Sequence, residues 1–289
     1  MSSNPFSEFQ AQIEAIKSRH TGGEIDQTER DALIRGMQLK DKQWGDVWML
    51  SPAGVWFRKA AGSKSWLRDY PIALIDPAGL PPMAEMSLPQ IARAVHDCTR
   101  CPLHHSRHRA VPGEGPAPAE IMLIGEGPGF NEDKQARPFV GNAGQFLEEL
   151  LAGSGYQRTD VFITNVVKCR PPNNRDPEAE ELAACSDYLE RQIELVDPQV
   201  IVTLGRYSMN RYFPGASISK IHGQPQRFGR RLVVPMFHPA AALHQPRWRP
   251  LITEDFQKLP QFIAEAATFA KADSADDSDE IDAEQLSLF

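Results

Sequence analysis

Four short apolar runs rich in β-branched residues constrain the fold more than any other feature of this chain. Each has the length of a buried strand, and helical patterns such as AGQFLEELLAGSG and DPEAEELAACSDYLERQIELV lie between them. Strands that alternate with helices favour an α/β fold with a doubly wound, mainly parallel sheet. We predict that the second helix begins with Asp176 as N-cap and Pro177 as its first residue. The four runs are IMLIG (121–125), VFITNV (161–166), QVIVTLG (199–205) and RLVVPMF (231–237).

The alternating pattern occupies the middle of the chain, so we predict three zones. Residues 1–87 hold four of the five tryptophans and a hairpin pattern, DVWML-SPAG-VWFRKA, which together indicate a small α+β module of unknown role. The Pro-rich stretch IDPAGLPPM is predicted to be a linker. Residues 88–270 should form the α/β domain. Residues 271–289 are predicted to be a disordered acidic tail.

The charge and hydropathy of the chain limit its location and partners. No run approaches the roughly 18 apolar residues of a membrane span, and the N-terminus lacks the apolar stretch of a secretory signal. We therefore expect a cytoplasmic protein with reduced cysteines. The tail holds seven acids and one base, so −6 of the net charge of −7 lies there. The rest is near neutral, and the overall charge does not exclude a nucleic-acid partner.

Candidate site residues follow three of the four predicted strands. Ligand sites of doubly wound sheets lie beyond the carboxyl ends of the strands. The first strand leads into Gly125-Glu126-Gly127, the second ends at Asn165, and the fourth leads into His238-Pro239. Each of these three segments, taken alone, is compatible with an ordinary local turn. Because all three lie at equivalent strand ends, we predict that together they form one pocket.

The glycine-rich stretch GEGPGFNEDK (125–134) after the first strand suits three kinds of structure. Glycines at a strand-to-helix turn can bind a phosphate through their backbone N–H groups. Here Pro128 lacks such an N–H group, the acidic side chains of this stretch would repel a phosphate, and no G-K-[ST] motif follows. A plain structural turn is the second alternative. We favour the third, a site for a neutral or electron-poor group.

The four cysteines have the spacing C-x2-C-x67-C-x15-C. Four thiolates in a reducing compartment suit a tetrahedral zinc ion or one 4Fe-4S cluster, and spacing does not decide between the metals. Four unrelated buried cysteines are the remaining alternative.

Taken together, residues from about 96 to 260 resemble the family 4 uracil-DNA glycosylases, the group with an iron-sulfur cluster. The C-x2-C pair, GEGPGFNEDK, RPFVGNAGQFL, ITNVVKCRPPNNRDP, the last cysteine and FHPAA occur in order. The resemblance implies a monofunctional hydrolase of DNA base excision repair. Such an enzyme cleaves the N-glycosidic bond of deoxyuridine flipped out of DNA and leaves an abasic site. It also implies one 4Fe-4S cluster on Cys98, Cys101, Cys169 and Cys185.

The resemblance also implies the roles of the base-binding residues. Phe139 would stack on the uracil ring. Asn165 would accept a hydrogen bond from uracil N3–H and donate one to O4, a pattern that cytosine reverses. Glu132 would lie against the C5 edge and exclude the methyl group of thymine.

The catalytic roles follow in the same way. His238 would donate to uracil O2 as negative charge develops on the departing base. Family 1 enzymes carry a water-orienting aspartate at the place of Gly127, so other groups must position the water here. The candidates are Glu126, the backbone carbonyls of the turn and Asn174.

DNA binding needs local positive charge, and basic residues flank the cysteines on both sides. We predict a phosphate-binding surface beside the cysteines. The predicted members are Arg100, His104, His105, Arg107, His108, Arg109, Lys168, Arg170 and Arg175.

The last five residues, QLSLF, resemble the peptide that docks bacterial repair proteins on the sliding clamp. Gln285 would bond at the pocket edge, and Leu286, Leu288 and Phe289 would bind in the pocket. The resemblance thus implies uracil-containing DNA and a sliding clamp as partners of a monomeric, nucleoid-associated protein. The alternative function is a non-catalytic iron-sulfur protein that binds uracil-DNA or acts as a clamp adaptor. The intact Glu126, Phe139, Asn165 and His238 favour the enzyme.

Overall fold

The computed structural model describes residues 5–35, 37–40, 46–50, 56–59, 67–68 and 77–269. Contacts divide the chain into two compact units, Met1–Asp97 and Cys98–Phe289. The helix Leu88–Asp97 (α3) therefore groups with the first unit, where it contacts the 3-10 turn Pro77–Gly79. Our domain boundary at residue 88 stays a prediction, and the tail 271–289 lies outside the described residues.

The first unit is a small α+β structure built around tryptophans. Its helices are α1 (Pro5–Thr21) and α2 (Gln27–Arg35). Its antiparallel sheet has the order β1-β2-β3-β4, with bounds Leu39–Lys40, Val47–Leu50, Trp56–Lys59 and Leu67–Arg68. The predicted hairpin is confirmed, because β2 pairs antiparallel with β3. Its turn and two of the tryptophans, Trp44 and Trp66, lie outside the described residues. The core residues are Phe6, Phe9, Ile13, Ile34, Trp48, Leu50 and Trp56.

The second unit holds a five-stranded sheet with the order β6-β5-β7-β9-β8. The first four strands in that order are parallel, and β8 pairs antiparallel with β9 at the edge. The predicted mainly parallel α/β sheet is confirmed. We did not predict β8, because Gln226 and Arg227 make this edge strand polar and exposed. The bounds are Ile121–Gly125 (β5), Val161–Asn165 (β6), Val200–Leu204 (β7), Gln226–Phe228 (β8) and Arg231–Met236 (β9).

Helices surround this sheet, and its central strands are buried throughout. Strand residues pack in one core with apolar residues of α6 (Asn142–Gly153), of α11 (Arg249–Gln257) and of the helical segment 259–269. Among the described residues, no helix has the length and apolar character needed to cross a membrane. The helices are α4 (Leu103–Ser106), α5 (Phe130–Gln135), α6 (Asn142–Gly153), α7 (Ala179–Val196), α8 (Arg206–Asn210), α9 (Ile218–Ile221), α10 (Ala240–His244) and α11 (Arg249–Gln257).

The predicted start of α7 was wrong by two residues. Its N-cap is Glu178, whose backbone N–H donates to the Glu181 carboxylate at 2.8 Å. The carboxylate of Asp176 instead accepts a hydrogen bond from Arg206 at 2.6 Å. A partner 30 residues away therefore replaces the local capping role that the sequence suggested.

Candidate active site

The ends of β5 and β6 bring Gly125 and Asn165 side by side. The two residues are register partners in the parallel ladder. A Cβ atom on Gly125 would lie 2.4 Å from Asn165 Oδ1 and 2.7 Å from Phe139 Cζ. Both distances are shorter than any carbon can approach these atoms. Glycine at position 125 therefore allows the amide of Asn165 and the ring of Phe139 to meet over the strand end.

Phe139 connects Asn165 to the end of β9. Its ring stacks on the imidazole of His238, with centroids 5.3 Å apart and planes inclined by 24°. The three predicted strand-end segments therefore meet, as the strand-end rule predicts.

The backbone of Phe139 is strained. Its φ of 49° lies in the left-handed region, where a bulky side chain is rare and costs about 1–3 kcal/mol. Arg158 holds this conformation, because its Nη1 donates to the carbonyl of Phe139 at 2.9 Å and its Nη2 donates to the carbonyl of Pro138. Strain retained at such a place indicates that the position of the ring matters for function.

A partly buried ion cluster supports Arg158. The carboxylate of Glu114 accepts two hydrogen bonds from Arg137, at 2.8 and 2.9 Å, and one from Arg158 at 2.7 Å. Burial alone would raise the pKa of Glu114, but the two arginines outweigh it and hold that pKa below its ordinary value. The sequence analysis missed this cluster, because its members lie far apart in the chain and the motif that contains Arg137, RPFVGNAGQFL, does not indicate its partners.

Glu132 supports the same loop from the other side. Its Oε1 accepts hydrogen bonds from the backbone N–H groups of Val140 and Gly141, both at 2.8 Å. The structure thus places this carboxylate on the loop that carries Phe139. Its contact with the C5 edge of a base stays a prediction.

Asn165 carries an unsatisfied acceptor. The residue is 2% exposed, and its Oδ1 is buried without a hydrogen-bond partner among the described residues. A buried carbonyl oxygen left unpaired costs about 1–3 kcal/mol, so native structures rarely keep one without a reason. A donor from a ligand is the simplest reason, since this oxygen lies next to Phe139 and Gly125.

His238 is held as a neutral imidazole. Its Nδ1 accepts a hydrogen bond from the backbone N–H of Ala240 at 3.1 Å, so the ring hydrogen lies on Nε2. Burial lowers its pKa to about 4. Gly205, with φ of 94°, follows the end of β7 and allows the backbone there to pack closely against His238. A Cβ atom at position 205 would lie only 3.3 Å from His238 Cβ. The ring therefore offers one N–H donor at neutral pH.

Glu126 lies half-buried beside a charged pair that the sequence analysis missed. Burial raises the pKa of Glu126, and the nearby charge of Asp176 raises it further, while Arg206 opposes both. Arg206 Nη2 donates to Asp176 Oδ2 at 2.6 Å and to the hydroxyl of Tyr207 at 3.0 Å. Asp176 was missed because we assigned it to a helix cap.

The other two candidates for positioning water lie in different settings. Gly127 packs closely, since a Cβ there would lie 2.8 Å from Val167 Cγ2. Asn174 is exposed, and its Oδ1 accepts a hydrogen bond from Arg170 Nε at 2.7 Å. No contact of the described residues brings Asn174 to Asn165 or His238.

The four cysteines are brought together as free thiols. Cys98 is partly exposed and the other three are buried. Burial and the neighbouring thiols of Cys185 and Cys101 raise the pKa of Cys169 to about 11, against the opposing charge of Arg107. Burial raises the pKa of Cys101 and of Cys185, and the neighbouring thiol of Cys98 raises both further. Arg107 Nη1 donates to Cys169 Sγ at 3.1 Å. Across the described ranges, no three His, Cys, Asp or Glu side chains are grouped to hold a single metal ion.

The predicted phosphate-binding surface was wrong at two positions. Lys168 is 1% exposed, and its Nζ donates to Thr164 Oγ1 at 2.6 Å, to the Asn165 carbonyl at 2.8 Å and to Gln192 Oε1 at 2.6 Å. Burial lowers the pKa of Lys168 to about 7. Arg109 is also buried. Both side chains turn inward to satisfy backbone and side-chain acceptors instead of facing a phosphate.

Comparisons with known proteins agree with this geometry. The family model described as the uracil DNA glycosylase superfamily matches residues 112–264, all within the second unit. A type-4 uracil-DNA glycosylase of Sulfurisphaera tokodaii is 49% identical over 183 residues, which cover 60% of this chain and 83% of that protein. One of Thermotoga maritima is 47% identical over 178 residues, which cover 60% and 93%. A type-5 uracil-DNA glycosylase of Thermus thermophilus is 33% identical over 142 residues, which cover 44% and 64%. The chain belongs to the uracil DNA glycosylase superfamily and, within it, to the type-4 uracil-DNA glycosylases.

Proposed function

We propose that the pocket formed by Phe139, Asn165 and His238 binds deoxyuridine turned out of DNA and hydrolyses its N-glycosidic bond. The protein is a uracil-DNA glycosylase, a hydrolase of DNA repair that releases uracil and leaves an abasic site. The observation that carries the pocket assignment is the buried, unpartnered Oδ1 of Asn165 beside the rings of Phe139 and His238. An intact pocket does not favour a non-catalytic binding protein or adaptor.

The base is recognised by stacking and by one amide. Extrusion from the duplex costs a few kcal/mol, and stacking on an aromatic ring returns roughly 1–3 kcal/mol. Asn165 Oδ1 accepts from uracil N3–H, and its Nδ2 donates to O4. Cytosine places an acceptor at N3 and a donor at C4, so it meets the amide with mismatched groups. We keep Glu132 as the group that borders C5 and excludes thymine.

His238 stabilises the leaving base. As the N1–C1′ bond breaks, its electron pair stays on uracil and the sugar gains oxocarbenium character. The neutral Nε2–H donates to O2, where part of the negative charge collects. Such preorganised donors contribute on the order of 10²–10³ in rate. Because the pKa of His238 is about 4, the ring acts as a hydrogen-bond donor and not as a cationic acid.

The second reactant is water. We propose that the Glu126 carboxylate orients it and takes its proton as oxygen bonds to C1′, after which the uracil anion is protonated from solvent. The half-buried position of Glu126 and its raised pKa suit a general base. A backbone carbonyl at Gly127 and the amide of Asn174 remain our further candidates for holding this water.

The cysteines suit an iron-sulfur cluster. We propose that Cys98, Cys101, Cys169 and Cys185 hold one 4Fe-4S cluster, supported by four free thiols within mutual electrostatic reach and by the Arg107 donor on Cys169. When bound, the cluster would supply iron–thiolate bonds that tie these chain segments together.

Metal analysis tests the cluster. The anaerobically purified protein should be yellow-brown, with broad absorbance in the blue region and about four irons per chain. Cys169→Ala should lose most of the iron and colour, since one thiolate ligand is gone. Zinc in stoichiometric amount in the unmodified protein would contradict the assignment.

The base-release assay tests the function. Matched oligonucleotides carrying uracil, thymine or cytosine at one position are incubated with the protein and then treated with alkali, which breaks abasic sites. Cleavage is expected only at uracil, because the amide of Asn165 rejects cytosine and the C5 edge rejects thymine. Equal cleavage at all three bases, or none, would contradict the proposed pocket.

The C-terminal peptide supplies a second partner. We propose that Gln285, Leu286, Leu288 and Phe289 bind a bacterial sliding clamp, although these residues lie outside the described ranges. By length alone the 14 residues 271–284 would span roughly 20 Å, enough for a monomeric enzyme to sample nearby DNA of the nucleoid in the cytoplasm.

Deletion of residues 285–289 tests the tether. The shortened protein should no longer retain the clamp in a pull-down and should excise uracil from a short oligonucleotide at the unmodified rate. Undiminished clamp binding, or loss of intrinsic activity, would show that the peptide is no tether.

A further inference from the structure

Phe130 exposes its ring at the start of α5, the short helix that follows the strand end at Gly125. Its exposed fraction is 52%. Among the described residues, Leu33 and Leu243 are the other large apolar side chains that are exposed to solvent. Phe130 lies five residues after Gly125, a distance of at most about 18 Å along the chain. A single exposed apolar side chain needs no explanation by itself. The surroundings of this ring, however, are specific.

Two cations from different segments lie over the ring. Lys134 Nζ is 4.3 Å from the ring centroid, and Arg170 Cζ is 5.2 Å from it. Both distances are within the range of cation–π attraction. Arg170 is also fixed by its hydrogen bond to Asn174 Oδ1 at 2.7 Å. An aromatic face and two positive charges are therefore collected at one surface point.

The helix that carries Phe130 is anchored on two sides. Glu132 binds the N–H groups of residues 140 and 141. Asp133, which is 5% exposed, accepts from the backbone N–H of His108 at 2.9 Å. The exposed ring is thus held in place by two carboxylates, the half-buried Glu132 and the buried Asp133.

We propose that Phe130, Lys134 and Arg170 form a stacking platform for a nucleotide next to the extruded deoxyuridine. The base of that nucleotide takes the place of a cation over the Phe130 ring, and Lys134 and Arg170 bind its phosphate at the ring edge. Proteins that bind single strands combine these two elements, an aromatic face and nearby positive charge. The inference rests on the proposed function, because it assumes that uracil-containing DNA occupies the pocket. Since paired bases keep their own stacking partners, the platform favours single-stranded DNA.

Binding measurements on the full chain test the platform. The probe is a fluorescent single-stranded oligonucleotide with 2′-fluorodeoxyuridine, which resists cleavage, and the same strand in a duplex. Phe130→Ala should weaken single-strand binding at least about fivefold and duplex binding less. Phe130→Trp should keep the affinity, because it retains an aromatic face. Leu33→Ala, which removes another exposed apolar side chain, is the matched control and should change nothing.

Two further readouts distinguish stacking of a base on the Phe130 ring from nonspecific hydrophobic binding. 2-Aminopurine beside the uracil should be quenched on binding, and Phe130→Ala should remove most of that quenching. Lys134→Met should lower the salt dependence of binding by roughly one phosphate contact.

Three results would overturn the platform. One is single-strand affinity of Phe130→Ala within twofold of the unmodified protein. Another is full rescue by Phe130→Leu, which restores apolar area without a ring face. A third is capture of a protein through Phe130 without any change in DNA affinity. If the unmodified protein excises uracil while Phe130→Ala binds normally, the platform alone fails. If the unmodified protein neither binds nor excises uracil, the proposed function fails with it.

Discussion

His238→Ala should lower single-turnover uracil excision by at least about 10²-fold while binding to uracil DNA stays nearly intact. The Nε2–H donor stabilises charge that develops on the base only as the glycosidic bond breaks. The substrate in its ground state gains little from that donor. The measurement is a pair: the single-turnover rate, and the affinity for DNA with the uncleavable 2′-fluoro analogue.

Two controls keep this result interpretable. Removal of the imidazole also removes the stacking partner of Phe139, so thermal unfolding must show that His238→Ala is folded. The pH dependence supplies the second control. With a pKa of about 4, the ring is neutral above that pH and becomes cationic below it. The unmodified protein should therefore show no inflection from His238 between pH 8 and 5.5. A rate loss below threefold in His238→Ala would remove His238 from the mechanism.

Asn165→Asp should reduce uracil excision sharply. An ionised carboxylate still accepts from N3–H, but it faces uracil O4 without a donor and repels it. A trace of cytosine excision is expected instead, because the carboxylate accepts from the amino group at C4. Parallel single-turnover assays on uracil and cytosine oligonucleotides measure both effects.

Asn165→Ala is the matched comparison for this substitution. It removes donor and acceptor together and should lose uracil activity without gaining cytosine activity. Undiminished uracil excision by Asn165→Asp would contradict the assignment of Asn165 to base recognition.

The convergence of Gly125, Asn165 and His238 could be predicted because it depends on topology alone. Parallel strands present their carboxyl ends at one edge of the sheet, so residues after apolar runs meet there whatever the details of packing. The mainly parallel sheet followed from the same alternation of runs. Register pairing of Gly125 with Asn165 then brings the two chain segments into contact.

Other features depend on contacts that no local pattern encodes. Lys168 looked like a surface cation beside a cysteine, but acceptors on Thr164 and Gln192 hold it inside. Asp176 looked like a helix cap, but Arg206 binds it from the start of α8. Burial of polar groups is decided by partners distant in sequence, so residue type and spacing could not reveal it.

The strained Phe139 shows the same limit at the site itself. The motif RPFVG marks the residue, and the resemblance implies its stacking role. The left-handed backbone and the support from Arg158 and Glu114 could be found only in three dimensions.

A structure of the protein bound to DNA with 2′-fluorodeoxyuridine tests the central claim most directly. The fluorine disfavours the oxocarbenium-like transition state, so the base stays attached and its position can be measured. We expect uracil stacked on Phe139, with N3 and O4 within about 3.2 Å of the Asn165 amide and O2 within that distance of His238 Nε2. A uracil bound elsewhere, or one in this pocket whose edge faces neither Asn165 nor His238, would contradict the account.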